Sequence, residues 1–201
     1  MNSAKKVLII NTHLTYPNWS EGLLNDAFHQ KAKESFLLKG FEILETKVED
    51  GYDAAKEVEK HVEADIIILQ TPINWFGAPW IYKKYVDEVF NSGLHSAQFL
   101  SGDGRTREDA TKQYGTGGKM QSKKFMVCAT WNAPKASFND SAQLLFEGRS
   151  TADVLIQITS NYRFCGADIV ADYNCFDIFK DGEIVADLEN YPKHLEKVFE
   201  L

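Results

Sequence analysis

The chain has 201 residues, 44% of them hydrophobic and 25% charged, which is ordinary for a soluble globular domain and excludes a disordered, collagen-like or disulfide-stapled chain. Lys and Arg number 22 against 29 Asp and Glu, and the net charge of −7 argues against nucleic acid or an anionic membrane surface as partner, since both demand surplus cations. Apolar runs such as Val7-Leu8-Ile9-Ile10 stop at four residues where a membrane-spanning helix needs about 20, so no membrane insertion is expected.

Lys5-Lys6-Val7-Leu8-Ile9-Ile10-Asn11 is a β-branched run without alternation, as expected for a strand buried on both faces of a parallel sheet. After a polar and aromatic loop, Ser20 has the position of an N-cap. Leu24, Phe28, Ala32 and Phe36 then recur every four residues as far as Gly40, which predicts a helix. Residues 41–47 read as a weaker strand, 52–63 as a charged, half-exposed helix, and 65–70 as a second fully apolar strand. Pro72 and Gly77 bracket an aromatic loop. Pro79 then opens a helix with Ile81, Tyr85 and Val89 in one stripe and Tyr82, Val86 and Phe90 in the next. From 92 to 122 periodicity fails across a glycine-rich, charged stretch whose length implies a function or a covering partner. A strand resumes over 123–129, a helix over 151–164 ahead of Gly166, and a last strand region over 169–179. Lys180-Asp181-Gly182-Glu183 carries the Asp-Gly signature of a tight turn, and residues 190–200 close the chain as a helix.

Strand and helix alternate through five rounds without repeats or a Pro- or Ser-rich linker, so a single domain over residues 1–201 is expected. The pattern predicts an α/β fold, a five-stranded parallel sheet between two helical layers joined by right-handed crossovers. Five such strands fit the order 2-1-3-4-5 of the flavodoxin-like three-layer sandwich, whose ligand site lies where the loops after the first and third strands diverge.

The loops after the first, third and fourth strands should therefore meet. The first ends Asn18-Trp19-Ser20-Glu21-Gly22-Leu23-Leu24-Asn25, where Ser20 and free backbone amides at a helix start would offer an anion site, with His13 as a further donor. Ser20 serves equally well as a plain cap and His13 as a surface residue. The second loop, Thr71-Pro72-Ile73-Asn74-Trp75-Phe76-Gly77-Ala78-Pro79-Trp80, sets large aromatics side by side, which either pack inward or face a flat apolar ligand. Thr130-Trp131-Asn132-Ala133-Pro134 repeats the formula. Core filling is the usual role of one such tryptophan; two at the same rim, beside an anion site, point to a flavin.

The runs Asn74-Trp75-Phe76-Gly77-Ala78-Pro79-Trp80, Lys83-Lys84-Tyr85-Val86-Asp87, Asp103-Gly104-Arg105-Thr106-Arg107, Lys112-Gln113-Tyr114-Gly115-Thr116-Gly117-Gly118 and Thr130-Trp131-Asn132-Ala133-Pro134 closely resemble the modulator of drug activity B family. These are bacterial NAD(P)H:quinone oxidoreductases of the flavodoxin-like fold, and the resemblance covers nearly the whole chain. It implies FAD, with its phosphates against Ser20, Glu21, Gly22, Leu23, Leu24, Asn25, Asp26 and Ala27. The flavin ring would lie against Pro72, Ile73, Asn74 and Trp75 and against Thr130, Trp131, Asn132 and Ala133, with Trp75, Phe76 and Trp131 as an apolar slot. It also implies a homodimer with the site at the subunit interface, where Tyr114 of the neighbouring subunit completes the pocket and residues 92–122 cover it. Hydride would pass from NAD(P)H to the flavin and two electrons then to a quinone-like acceptor. Both substrates are flat and need the same flavin face, so a ping-pong cycle follows. Mammalian quinone reductases of the same superfamily carry a Tyr and a His after the fourth strand. Residues 136–143 here hold neither, so that proton relay does not carry over and no catalytic residue is assigned.

Arg105, Arg107, Lys112, Lys119, Lys123 and Lys124 form a basic stretch suited to the phosphates of NADPH, or equally a solvated loop balanced by Asp103, Glu108 and Asp109. Cys128, Cys165 and Cys175 read as inert thiols, the five histidines show no metal-ligand spacing, and no GxGxxG, GxxxxGK[ST], GxSxG or HExxH motif occurs. Two alternatives remain: an FMN-dependent azo- or nitroreductase or electron carrier, and a non-enzymatic module that holds a small ligand at its aromatic rim. Met1-Asn2-Ser3-Ala4-Lys5-Lys6 leads straight into a strand without the apolar core of a secretion signal, so a cytoplasmic location is expected.

Overall fold

Lys6–Asn11 (β1) and Ile66–Pro72 (β3) have no polar face to offer water, and they take the centre of the sheet of a computed structural model that describes residues 4–180 and 182–201. Asp181, in the expected Asp-Gly turn, and Met1, Asn2 and Ser3 lie outside the described residues. Glu42–Lys47 (β2) pairs in parallel with the outer side of β1, and Lys124–Thr130 (β4) with β3. The strand order is 2-1-3-4-5, as the alternation predicts. The fifth position departs in detail, because Asp168–Ile169 (β5) and Tyr173–Cys175 (β6) are two short strands that both pair with β4. Between them the Asp172 carboxylate, not a backbone carbonyl, accepts the Val127 N–H at 3.1 Å, which interrupts the ladder.

Two helical layers cover the sheet. Leu23–Leu38 (α1) and Ile184–Phe199 (α6) cover one face, burying Phe28, Phe36, Tyr191 and Leu195 on Val7, Ile9, Ile68 and Met126. Ala54–Glu63 (α2), Trp80–His95 (α3) and Ile156–Phe164 (α5), the last preceded by the single turn Thr151–Val154 (α4), cover the other. There Val58, Tyr85, Val89 and Tyr162 pack on Leu8, Ile67, Leu69 and Phe125. No helix among the described residues is long and apolar enough to cross a membrane.

Several boundaries differ from the sequence reading, each for a local reason. α1 starts at Leu23, not after a cap at Ser20. α3 runs to His95, four residues into the expected loop, because Gly93 lets Phe99 pack directly on the helix. The helix expected over 151–164 breaks at Leu155, and a capping box between Ser150 and Asp153 closes its first turn. α6 begins at Ile184 and carries Pro192 in its interior, since the buried stripe Tyr191, Leu195 and Phe199 outweighs one lost backbone bond.

His61 of α2 is buried between the layers. Its Nδ1 donates to Glu57 O at 2.8 Å, Tyr162 Oη lies 3.3 Å from Nε2, and its ring stacks on that of Tyr162. Burial pulls its pKa down to about 4. The folded chain therefore holds this imidazole neutral while the unfolded chain protonates it near pH 6.5. The stabilisation is complete above that value and is lost as pH falls toward 4. Urea unfolding should show stability falling by about 2 kcal/mol between pH 7 and pH 5 from this group alone. His61→Phe should flatten that slope, and an unchanged slope would assign the acid sensitivity elsewhere.

Candidate cofactor cleft

The carboxyl ends of the central strands are in register, with Asn11 beside Gln70, Gln70 beside Cys128 and Pro72 beside Thr130. The loops leaving them part around a cleft of about 450 Å³, within the range of small-molecule sites and at the switch point of the sheet. The first loop makes a tight hairpin in which Tyr16 and Ser20 exchange backbone bonds of 2.8 and 2.9 Å and Asn18 takes φ +63°. That turn holds the exposed Trp19 ring 5.2 Å from Tyr16. Thr15 anchors the hairpin, giving its N–H and hydroxyl to the two Glu49 oxygens at 2.8 Å each. Partial burial pushes the Glu49 carboxyl up, but the Thr15 bonds outweigh it and hold the group below the usual carboxylate value.

Gly22 then starts α1. Its φ is +84°, and a Cβ there would lie 2.6 Å from His13 Nδ1, so backbone conformation and neighbour both require glycine. The His13 ring is buried beneath the loop with Nε2 3.2 Å from Ser20 Oγ, and burial holds its pKa below the ordinary value. No side chain caps α1, so the amides of Leu23, Leu24 and Asn25 are left for a ligand, and all three residues line the cleft. Glu21 lines it too. Among the described residues no Lys or Arg does, so the positive end of the cleft is the helix terminus itself.

Asn74 and Gly77 close a two-residue turn with backbone bonds of 2.8 and 3.2 Å. The residues between them, Trp75 and Phe76, have φ of +49° and +67°, a strained conformation for two bulky aromatics. Trp75 is left 93% exposed, while Phe76 meets the Phe146 ring edge-on at 5.9 Å. Ile73 N–H bonds to Thr130 O at 2.9 Å, which ties the second and third loops together. The resulting cleft has amide donors at one end, apolar walls of Ile73, Trp19, Ile178 and Phe179, and the polar side chains of Asn74 and Asn132. This donor set fits a flat ligand with an anionic tail, as a flavin is.

The family described by the flavodoxin-like fold, Flavodoxin_2, matches residues 5–198. The chain belongs to it. NADPH:quinone oxidoreductase MdaB of Haemophilus influenzae is 38% identical over 180 residues, 90% of this chain and 92% of that protein. Among solved structures, a Klebsiella pneumoniae protein described as a candidate quinone reductase superposes with TM-score 0.77 at 19% identity, over 96% of this chain and 85% of that one. General stress protein 14 of Treponema denticola, in complex with FMN, superposes with TM-score 0.63 at 20% identity, over 96% and 98%. These two likenesses support the fold.

Against this flavodoxin-like frame the expected site residues divide. Ser20, Glu21, Gly22, Leu23, Leu24 and Asn25, then Pro72, Ile73 and Asn74, then Thr130 and Asn132 line the cleft together. Asp26 and Ala27 lie one step along α1, and the Asp26 carboxylate is taken by Asn11 Nδ2 at 2.9 Å. Trp75 and Phe76 stand beside the cleft on their strained turn. Trp131 does not form a slot wall: its indole is 1% exposed, packs against Phe138 and Phe176, and donates from Nε1 to Asn174 Oδ1 at 2.8 Å. The turn bond from Asp177 N–H to Ala133 O takes the carbonyl of the half-buried Ala133. Tyr114 lies away from the cleft of its own chain, 5.0 Å from Phe164 and under Arg105.

Sequence reasoning missed Ile178, Phe179 and Ile184, which line the cleft's outer end; three apolar residues flanking an Asp-Gly turn were the available signal. Much of the basic stretch is structural. Lys123 donates to the carbonyls of Val62 and Ala64 at the end of α2, Lys119 to Ala97 O, Lys124 pairs with Glu200, and Arg105 with Asp103.

Gly22→Ala should cost about 1–3 kcal/mol in urea unfolding, from left-handed strain plus displacement of His13. Trp75→Asn puts a residue tolerant of positive φ at an exposed site and should raise the thermal midpoint by a few degrees. A lowered midpoint would mean that Trp75 packs in a way that its exposure denies.

Proposed function

We propose that the chain is a flavin-dependent NAD(P)H:quinone oxidoreductase working in the cytoplasm. The observation that carries this reading is the uncapped start of α1 opening into a cleft beside two exposed aromatics, in a chain 38% identical to an NADPH:quinone oxidoreductase. A bound flavin would supply the chemistry, accepting hydride from NAD(P)H and passing two electrons to the quinone. The residues of this chain do the rest. The amides of Leu23, Leu24 and Asn25 hold the phosphate oxygens, and Asn74 and Asn132 offer hydrogen bonds to the polar edge of the ring. Trp75 and Phe76, fixed by their turn, give the flat substrates an apolar face and exclude water. NAD(P)H and quinone need that same face in turn, which supports a ping-pong cycle. Tyr114, remote from its own cleft, completes the pocket of a second copy in a homodimer.

The isoalloxazine and first phosphate are common to FMN and FAD. FMN is the flavin in the T. denticola neighbour, which favours FMN and with it an azo- or nitroreductase as the second reading. The resemblance to the modulator of drug activity B family favours FAD, and the cleft's lining includes Trp19, Ile178 and Phe179 besides the start of α1. The purified protein, loaded with flavin if needed, should be yellow, bleach with NADPH and regain its colour with menadione. AMP released by phosphodiesterase from the extracted cofactor identifies FAD, and its absence FMN. A protein that takes up neither flavin and oxidises no NAD(P)H would end the proposal.

A further inference from the structure

Below the cleft the central strands carry polar side chains where the rest of their length is apolar. Gln70 of β3 and Thr130 of β4 are each 1% exposed, and both reach toward Asn25 of α1. Gln70 Nε2 donates to Asn25 Oδ1 at 2.9 Å, and Asn25 Nδ2 donates in turn to Thr130 Oγ1 over a longer 3.5 Å. Each link fixes the sense of the next. An amide whose oxygen is taken must present its NH2 group, and a hydroxyl that accepts an N–H keeps its own proton to give away. No acceptor for the Thr130 proton lies among the described residues, while Thr130 and Asn25 both line the cleft. At the inner end Gln70 Oε1 is buried without a partner. An apolar residue would remove that unmet acceptor but strip the buried Asn25 Oδ1 of its donor, so what the glutamine supplies is the orientation of Asn25.

We propose that Gln70 is a positioning residue. By fixing the Asn25 amide it compels the Thr130 hydroxyl to donate into the cleft, toward an acceptor atom of the bound cofactor. With the Gln70 amide reversed, Asn25 would reverse too, and Thr130 would turn its proton inward and face the ligand with lone pairs. The relay rests on the flavin reading above, and it selects for an acceptor at one point of the ligand.

Two measurements test it. In the cofactor-free protein, the Asn25 side-chain amide should give two resolved, slowly exchanging proton signals, and Gln70→Met should broaden or merge them. An Asn25 amide indifferent to Gln70→Met overturns the relay whether or not a flavin binds. In fluorescence titrations with FMN, Thr130→Val should weaken binding about tenfold, and Thr130→Ser should restore what valine loses. Gln70→Met should weaken binding to a similar degree, and the Gln70→Met/Thr130→Val pair no further than either alone, because both cut one chain. Additive losses, or full affinity in Thr130→Val, overturn the relay while leaving the flavin reading intact. Failure of the unmutated protein to bind FMN or FAD instead removes the flavin reading.

Discussion

The first turn of α1 begins at a residue held left-handed, with the His13 imidazole filling the space in which any Cβ would sit. A glycine there cannot cap the helix, so the amides of the first turn stay open, and the buried ring beneath prevents the loop from folding back over them. Ser20 is thereby freed from capping and meets His13 instead, while the hairpin at 16–20 carries Trp19 up as a wall. Thr15 and Glu49 pin the hairpin's far side to the turn after β2. An anion held in the cleft would thus need no lysine or arginine. The open amides of the first turn of α1, beside the Gly22–His13 contact, would supply the positive end.

The fold was legible where the physics is one-dimensional. β1 and β3 are buried on both faces and so have no alternation; α1 shows Phe28, Ala32 and Phe36 on one stripe because only that stripe meets the sheet. Strand five was less legible because a side-chain acceptor, Asp172, interrupts its ladder, and no periodicity announces a carboxylate standing in for a carbonyl. The cleft loops were recognisable as a group, but composition does not give direction. Trp131 shows this. Counting by two along β4, Phe125, Val127 and Ala129 face the α2–α3 layer and Trp131 follows them, whereas Thr130 falls on the α1 side beside Asn25. The strand's own parity therefore separates the buried indole from the hydroxyl at the cleft, and an aromatic at a loop start is no sign of a ligand until that parity is counted.

Trp75 and Phe76 are held outside on a strained turn. Asn-Gly is the pair that such a two-residue turn prefers, and Trp75 and Phe76 occupy it at positive φ instead. A turn so unfavourable persists only if its ends are fixed. Those of Asn74 and Gly77 are closed by mutual backbone bonds, Ile73 is tied to Thr130, and Gln157 of α5 reaches the Phe76 carbonyl at 3.5 Å. Rigidity of the sheet is what lets the loop hold a conformation its own residues disfavour.

The same trade recurs beneath the cleft, where Gln70 leaves a buried acceptor unmet. Both departures from local optimality lie at the carboxyl end of β3, beside that of β4, and neither improves the packing around it. The amino ends of the same strands pack Ile66 and Phe125 without polar intrusion. At that end a strained turn and an unspent donor face the cleft, where a bound ligand would use them.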